Sequence, residues 1–582
     1  MAWPSGDRCR RPWLIGPATL LMFLVLAVSA EDIFLDWHVT LDTNIKPDQP
    51  ENIEKSILLH PKKLKLDSAW VIAINGLFPG PLLNGTTDDV FHVNVFNEMD
   101  EPLLITCFHK AGGAFGPIRI NNRPVIQVPF PKPEAEFDLL IGDWYDRSFK
   151  DVRSMMRTNL MAYNSTPDKI LMNGKAAYSA PTTEAHESFA VARGKTYRIR
   201  ISNVGTAWSF NFRIQKHKMV LVETEGSYTN KITLDSLDVH VGQSYSVLVT
   251  ADQNVSDYYM VASPKMFNAS DVTRFGIGVL HYDKSTTPPS GSLPKGPDPF
   301  DQKFSIHQAQ SIRWNLTTGA ARPNPQGTFN VHNVTLSQTF ILQASTAEIN
   351  GLPQFTVNNV SYLAPDTPLK LADQFLNGSG VYKLDEFSTN SSNFETVRGV
   401  FVASGKHKGW IELVFHNDLE GMDAWHLDGF GFYVVGFGTG KWSPKSRSKY
   451  NLYDPVVRST VQVYPGGWTA VYAYLDNPGM WNLRSQHLKN WYLGEELYLR
   501  VYDADPNPAK EKRAPNNLLL CGEFAPFPPA APLVPPPPPQ PSPPAPGPSS
   551  AHSLQTAAGF HIAIICIVAT FFQISRSSSH FL

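Results

Sequence analysis

KTYRIRISNVG at Lys195–Gly205, KMVLVETEG at Lys218–Gly226, SYSVLVTADQ at Ser244–Gln253, YYMVAS at Tyr258–Ser263 and FGIGVLHY at Phe275–Tyr282 follow one another without a long gap. Each has the length of a strand, is rich in β-branched and aromatic residues, and is bounded by turn formers such as Asn, Gly and Asp. Upstream, VIAING before FPGP and VFHVNVFN before EMDEP read the same way, and the texture restarts at Gly327 and runs to Asp503. No long helical periodicity competes with these runs. Spaced strands of this kind imply sandwiches or barrels, so the expected class is all-β.

Working outward, two composition breaks divide the strand-rich region. One lies at Pro129–Pro133, ahead of GDWY at Gly142–Tyr145; the other is TTPPSGSLPKGPDPF at Thr286–Phe300, continued by a polar stretch to Pro325. They divide the region into three β-domains, at residues 31–130, 131–300 and 301–525. The chain of 582 residues has 50 basic and 52 acidic side chains and only 18% charged residues, against about 25% in average chains. No strong field results, which argues against nucleic acid as a partner.

The two ends point outside the cell. Arg8, Arg10 and Arg11 precede an apolar run from Leu14 to Val28 that closes on Val28, Ser29 and Ala30. This is the order of a signal peptide over 1–30, and the run is short for a membrane span. At the other end Ser549, Ser550 and Ala551 lead through a polar spacer to an apolar stretch from Ala558 to Phe572, the order of a GPI-attachment signal over 549–582 with the lipid at Ser549 or Ser550. The polar Arg576–Ser579 stretch after it leaves a short membrane span with a basic stop as the alternative. Residues 526–548 (PFPPAAPLVPPPPPQPSPPAPGP) suit an extended polyproline stalk better than a peptide-ligand motif.

Asn-X-Ser/Thr occurs at Asn84, Asn164, Asn254, Asn268, Asn315, Asn333, Asn359, Asn377 and Asn390, which with a signal peptide reads as a glycosylated surface. Cys9 and Cys566 fall in the two terminal signals. That leaves Cys107 and Cys521 in an oxidising compartment, where they could bridge the first domain to the end of the last.

The strings AINGLFPGPLLN (Ala73–Asn84), IGDWY (Ile141–Tyr145), LMNGK (Leu171–Lys175), GKTYRIRISNVG (Gly194–Gly205), LDVHVGQSYSVLVTADQ (Leu237–Gln253), RWNLTTGAARPNPQGTF (Arg313–Phe329) and YPGGWTAVYAYLDNPGMWNLRSQ (Tyr464–Gln486) together resemble the plant multicopper-oxidase superfamily. More narrowly, they are similar to its monocopper-oxidase-like, GPI-anchored skewed-growth branch, related to ascorbate oxidase and laccase. The resemblance implies three cupredoxin-like Greek-key sandwiches. It also implies a role in plant cell-wall organisation and directional expansion of roots or pollen tubes, at the outer face of the plasma membrane, with wall polysaccharide or wall protein as partner. It says nothing of oligomeric state.

Copper-binding relatives hold a type 1 copper by two His and one Cys and a trinuclear cluster by eight His, since imidazole and thiolate bind copper strongly. This chain has no His-X-His pair. Where relatives carry His-Pro-Trp-His-Leu-His, the run here is Asp423-Ala424-Trp425-His426-Leu427-Asp428. Where they carry His-Cys-His and a further His, Arg484, Ser485, Gln486 and Asn490 stand. Serine supplies no thiolate, and a guanidinium is a fixed cation. The resemblance therefore implies degenerate copper sites and no required cofactor; the alternative is an oxidoreductase with a single copper at His426. His426 is otherwise expected as a loop histidine hydrogen-bonded to its neighbours, and His217, His240, His416 and His487 as ordinary surface or strand residues. No GXSXG elbow, HEXXH helix, P-loop or GXGXXG after a strand is present.

Family members continue after the EPLLIT motif with Trp-Asn-Gly and several strands, including a Cys, before a Gly-rich GGFG. Here Thr106 runs directly into Cys107-Phe108-His109-Lys110 and AGGAFG. The first domain is thus expected to be truncated near 106–108, with an unpaired sheet edge, and Cys107 is not equivalent to the family's partner for Cys521.

Overall fold

A computed structural model describes residues 30–43, 45, 71–103, 108–122, 128–158, 166–176, 186–265, 274–315, 331–386, 395–503, 518 and 520–522. Every described residue lies in the unit formed by residues 1–526. Residues 1–29 of the expected signal peptide, the stalk and the lipid-anchor serines Ser549 and Ser550 lie outside the described residues, as do Cys107, Asn164, Asn268 and Asn390.

The strings that open the sequence reading are strands. Thr196–Asn203 sits in a six-stranded sheet between Ser244–Thr250, antiparallel to it, and Glu136–Trp144, parallel to it. The other members of that sheet are Ser227–Leu234, Met219–Thr224 and Lys169–Met172. A five-stranded sheet of Leu237–Val239, Ser209–Ile214, Tyr258–Lys265, Gly276–Tyr282 and Glu187–Val191 makes the second layer. Alternation decides which side chains meet between the layers: Tyr197, Ile199 and Ile201 turn into the core beside Phe210 and Phe212, while Arg198, Arg200 and Ser202 turn away. A third sandwich pairs an eight-stranded sheet with a six-stranded one. Its core, with Phe415, Trp425 and Leu483, is continuous with that of the second.

The seam between these sandwiches is held by a buried ion pair. Glu225, at φ +47° in the turn after Met219–Thr224, accepts from the Arg458 guanidinium at 2.6 Å and from the Ser459 amide at 2.7 Å. Gln243 adds a bond to Gln462 at 2.7 Å. Groups this deeply buried require such partners.

The polar stretch after Phe300, read as loop, contains a helix at Gln302–Ser311. The Asp301 carboxylate caps it by accepting from the Phe304 amide at 2.9 Å. Gln308 ties it to the second sandwich through Ser236 and Asp238.

The first sandwich is smaller. Its sheet has the order Val71–Ile74, Asp32–Asp42, Val90–Asn97, accompanied by a two-stranded ribbon of Leu83–Thr86 and Ile118–Asn121. The Asn75-Gly76 turn, both residues at positive φ, folds the chain back with reciprocal bonds between Ile74 and Leu77. The local core gathers Val39, Ile72 and Phe108 against Phe149 and Val152 of helix Phe149–Thr158 and against Leu488 of the third sandwich.

Candidate functional site

The segments matching the copper-ligand runs of relatives lie on adjacent strands. Asp423–Leu427 is a strand, so His426 is a strand residue and not the loop residue expected. Cross-strand register places His426 opposite Arg484 on one side and Thr460 on the other, with Trp425 opposite Ser485.

Alternation then separates the two carboxylates expected to flank His426. Asp428 lies beside the imidazole, its Oδ1 3.0 Å from Nε2. The Arg484 guanidinium donates to the other oxygen at 2.8 Å. Burial pushes the Asp428 carboxyl up, but hydrogen bonds and charge from His426 and Arg484 outweigh it and hold the group below its ordinary value. The second ring nitrogen, Nδ1, is bonded to the Thr460 hydroxyl at 2.9 Å. Asp423 points to the opposite face, fully buried, and accepts from the Ser485 hydroxyl at 2.6 Å.

Glu495 lies beside Asp423 in the same buried region, and its carboxyl is raised well above the ordinary value, first by burial and then by the Asp423 charge. Two carboxylates sharing one dry region disfavour each other's ionisation, which is the direction found at Glu495. The Gln486 carbonyl accepts from the Lys110 ammonium at 2.9 Å, which comes from the 3-10 turn Phe108–Gly112 of the first sandwich.

These residues do not fit a copper ion. Both nitrogens of His426 are engaged, a guanidinium occupies the space beside it, and a lysine ammonium stands at Gln486. Among the described residues no group of three or more His, Cys, Asp or Glu side chains is placed to hold a metal.

Three of the four other histidines singled out differ from expectation. His217, His240 and His487 are buried rather than exposed, and only His416 lies within a strand. Burial lowers all four, with His240 brought down to about 3 while bonded to Ser209 at 2.9 Å.

Of the glycosylation sequons, Asn84, Asn254, Asn333 and Asn377 are exposed and Asn359 is half-buried. Asn315 is buried. Cys521 is an exposed free thiol. No described helix is long and apolar enough to cross a membrane.

Sequence reading missed Glu495, Thr460 and Lys110. Period-two alternation could have separated Asp423 from His426. Nothing local marks Lys110, which is 376 residues from its acceptor.

Paired β-sandwiches define the class, and multicopper oxidase models match residues 60–112, 136–285 and 366–507. Solved structures share the fold. A laccase from Botrytis aclada aligns with TM-score 0.63 at 18% identity, covering 82% of this chain and 89% of that one. Fet3p, a multicopper oxidase that functions in iron import, gives 0.61 at 18%, covering 81% and 90%.

More narrowly, the chain is 41% identical to the monocopper oxidase-like protein SKS1 of Arabidopsis thaliana over 78% of its own length and 85% of that protein. It is 40% identical to SKU5 of the same plant over 78% and 86%, and 37% identical to an L-ascorbate oxidase homolog of Brassica napus over 78% and 89%. The chain belongs to the monocopper oxidase-like branch of the multicopper oxidase family.

Proposed function

We propose that this chain is a multicopper-oxidase-like cell-surface glycoprotein whose copper sites have degenerated, acting in plant cell-wall organisation and directional cell expansion. It is held at the outer face of the plasma membrane by a C-terminal lipid and binds wall polysaccharide or wall protein. The observation that carries this reading is the state of the ligand positions: Arg484 and Ser485 are consumed in bonds to Asp428 and Asp423. Internal bonding of this kind suits a retained scaffold better than a redox centre. The proline-rich segment and the four exposed sequons support placement outside the cell.

The second reading, an oxidoreductase with one copper at His426, draws on the relatives being monocopper oxidase-like proteins and on the proximity of Asp428 to that ring. One experiment separates them. The full chain, purified as a secreted glycoprotein, is expected to carry far less than one copper per molecule by mass spectrometry and to lack a blue-copper absorption band. One tightly held copper, lost in His426→Ala, overturns the degenerate reading in favour of the monocopper enzyme.

A further inference from the structure

A cleft of about 250 Å³ opens between the ribbon strand Ile118–Asn121 and the outward face of the six-stranded sheet. One wall is apolar, formed by Ile118 at 62% exposure and Ile120 at 42%. The floor is formed by the outward-turned side chains of Thr196–Asn203 and Ser244–Thr250, including Arg198, Arg200, Ser202, Ser244 and Ser246.

The charges around this floor cancel. Arg198 pairs with Glu223 and Glu136, Arg200 with Glu136 at 2.8 Å, and Glu225 with Arg458 at 2.6 Å. A phosphate, a uronate or a cation entering here finds each counter-charge already engaged. Neutral hydrogen-bonding groups remain available. The Ser202 and Ser244 hydroxyls bond each other at 2.8 Å, each with further capacity, and Ser246 and the Tyr228 hydroxyl lie beside them. The Nε of Arg198 is buried in the floor with no hydrogen-bond partner, on a side chain only 5% exposed. A buried donor left in that state costs stability until something accepts from it.

An apolar ridge facing a charge-balanced, hydroxyl-lined floor matches a sugar ring, which has a C–H face and a rim of hydroxyls. We propose that this cleft binds a short stretch of an uncharged polysaccharide, with Ile118 and Ile120 against the sugar face and the serines and Arg198 on its hydroxyls. The volume lies just below the usual range for ligand sites of about 300–1,000 Å³, so a chain segment or end is taken and a folded protein is not. The proposal rests on the wall-binding reading and names the polymer class.

The test uses the full chain with two probes in titration calorimetry, uncharged cello- and xylo-oligosaccharides and acidic oligogalacturonate, alongside co-sedimentation with insoluble wall polysaccharide. Binding of the uncharged probes is expected, reduced at least tenfold in Ile118→Ser/Ile120→Ser and about threefold in Ser202→Ala, with melting temperatures unchanged. Affinity that is indifferent to these substitutions, or heat from the acidic probe alone, overturns the cleft assignment. If the chain still sediments with wall polysaccharide in that case, the broader wall-binding reading stands. Failure of the intact chain to sediment at all overturns polysaccharide as its wall partner too.

Discussion

Strand Asp32–Asp42 of the first sandwich and strand Thr196–Asn203 of the second carry the same alternation of apolar and polar side chains, yet they reach different environments. In the second, Tyr197, Ile199 and Ile201 are buried. In the first, Ile33, Leu35 and Trp37 are only half-buried. The second strand has a neighbour on both sides and a five-stranded sheet over its apolar face. The first has a three-stranded sheet whose edge strand, Val90–Asn97, has no outer partner among the described residues. Alternation is enough to specify a strand, whereas burial requires a second layer supplied by other parts of the chain.

The largest effect expected from this contrast comes from removing a core ring where the layers are complete. Phe212 is fully buried between Leu237 and Ala262 of the neighbouring strands. Phe212→Ala is expected to cost about 3–5 kcal/mol through lost transfer energy and the cavity it leaves. Urea unfolding followed by tryptophan fluorescence measures it. A loss below about 1 kcal/mol would mean that the second sandwich is packed no better than the first.

The fold was legible where its cause is local. β-branched runs closed by Asn and Gly became strands, and the Asn75-Gly76 pair became a turn. The helix Gln302–Ser311 escaped notice because it carries little apolar periodicity; its support is an Asp301 cap and hydrogen bonds to the second sandwich. The site divides in the same way. The side chains at Arg484, Ser485, Gln486 and Asn490 could be read directly from sequence. The burial of Asp423 against Glu495 and the reach of Lys110 to Gln486 depend on elements brought together only by folding.

The same contrast extends to pH. The first sandwich keeps His92–Asp32 and His38–Glu98 half-exposed, where screening leaves such pairs about 0–1 kcal/mol. The third buries ionisable groups. Burial raises Glu496 to about 7, against the opposing bond from Asn482. A carboxyl raised on folding contributes stability that is complete below its unfolded value, near 4.5, and is lost as pH rises through about 7. Buried His240, lowered to about 3, acts in the opposite sense, losing stability as pH falls below about 6.5. The melting temperature of Glu496→Gln is therefore expected to fall less than that of the parent between pH 5 and pH 8, by the equivalent of about 2–3 kcal/mol. Parallel curves for the two proteins would remove Glu496 from the response.

The smallest effect is expected at Phe34. This ring is 72% exposed and stacks on His92 at 4.5 Å between centroids. Its strand has no partner on the far side at this position among the described residues, since pairing with Val71–Ile74 begins only at Val39. With little apolar area removed from water and no cavity to create, Phe34→Ala is expected to change unfolding free energy by less than about 0.5 kcal/mol. The substitution also shows whether the first sandwich unfolds with the rest. If its stability is local, limited proteolysis of the parent cuts first between residues 31 and 127, and Phe34→Ala accelerates that cut without altering digestion of residues 186–503. A loss approaching that of Phe212→Ala, or uniform resistance across the first sandwich, would mean that masking of the incomplete layer makes the two sandwiches energetically alike.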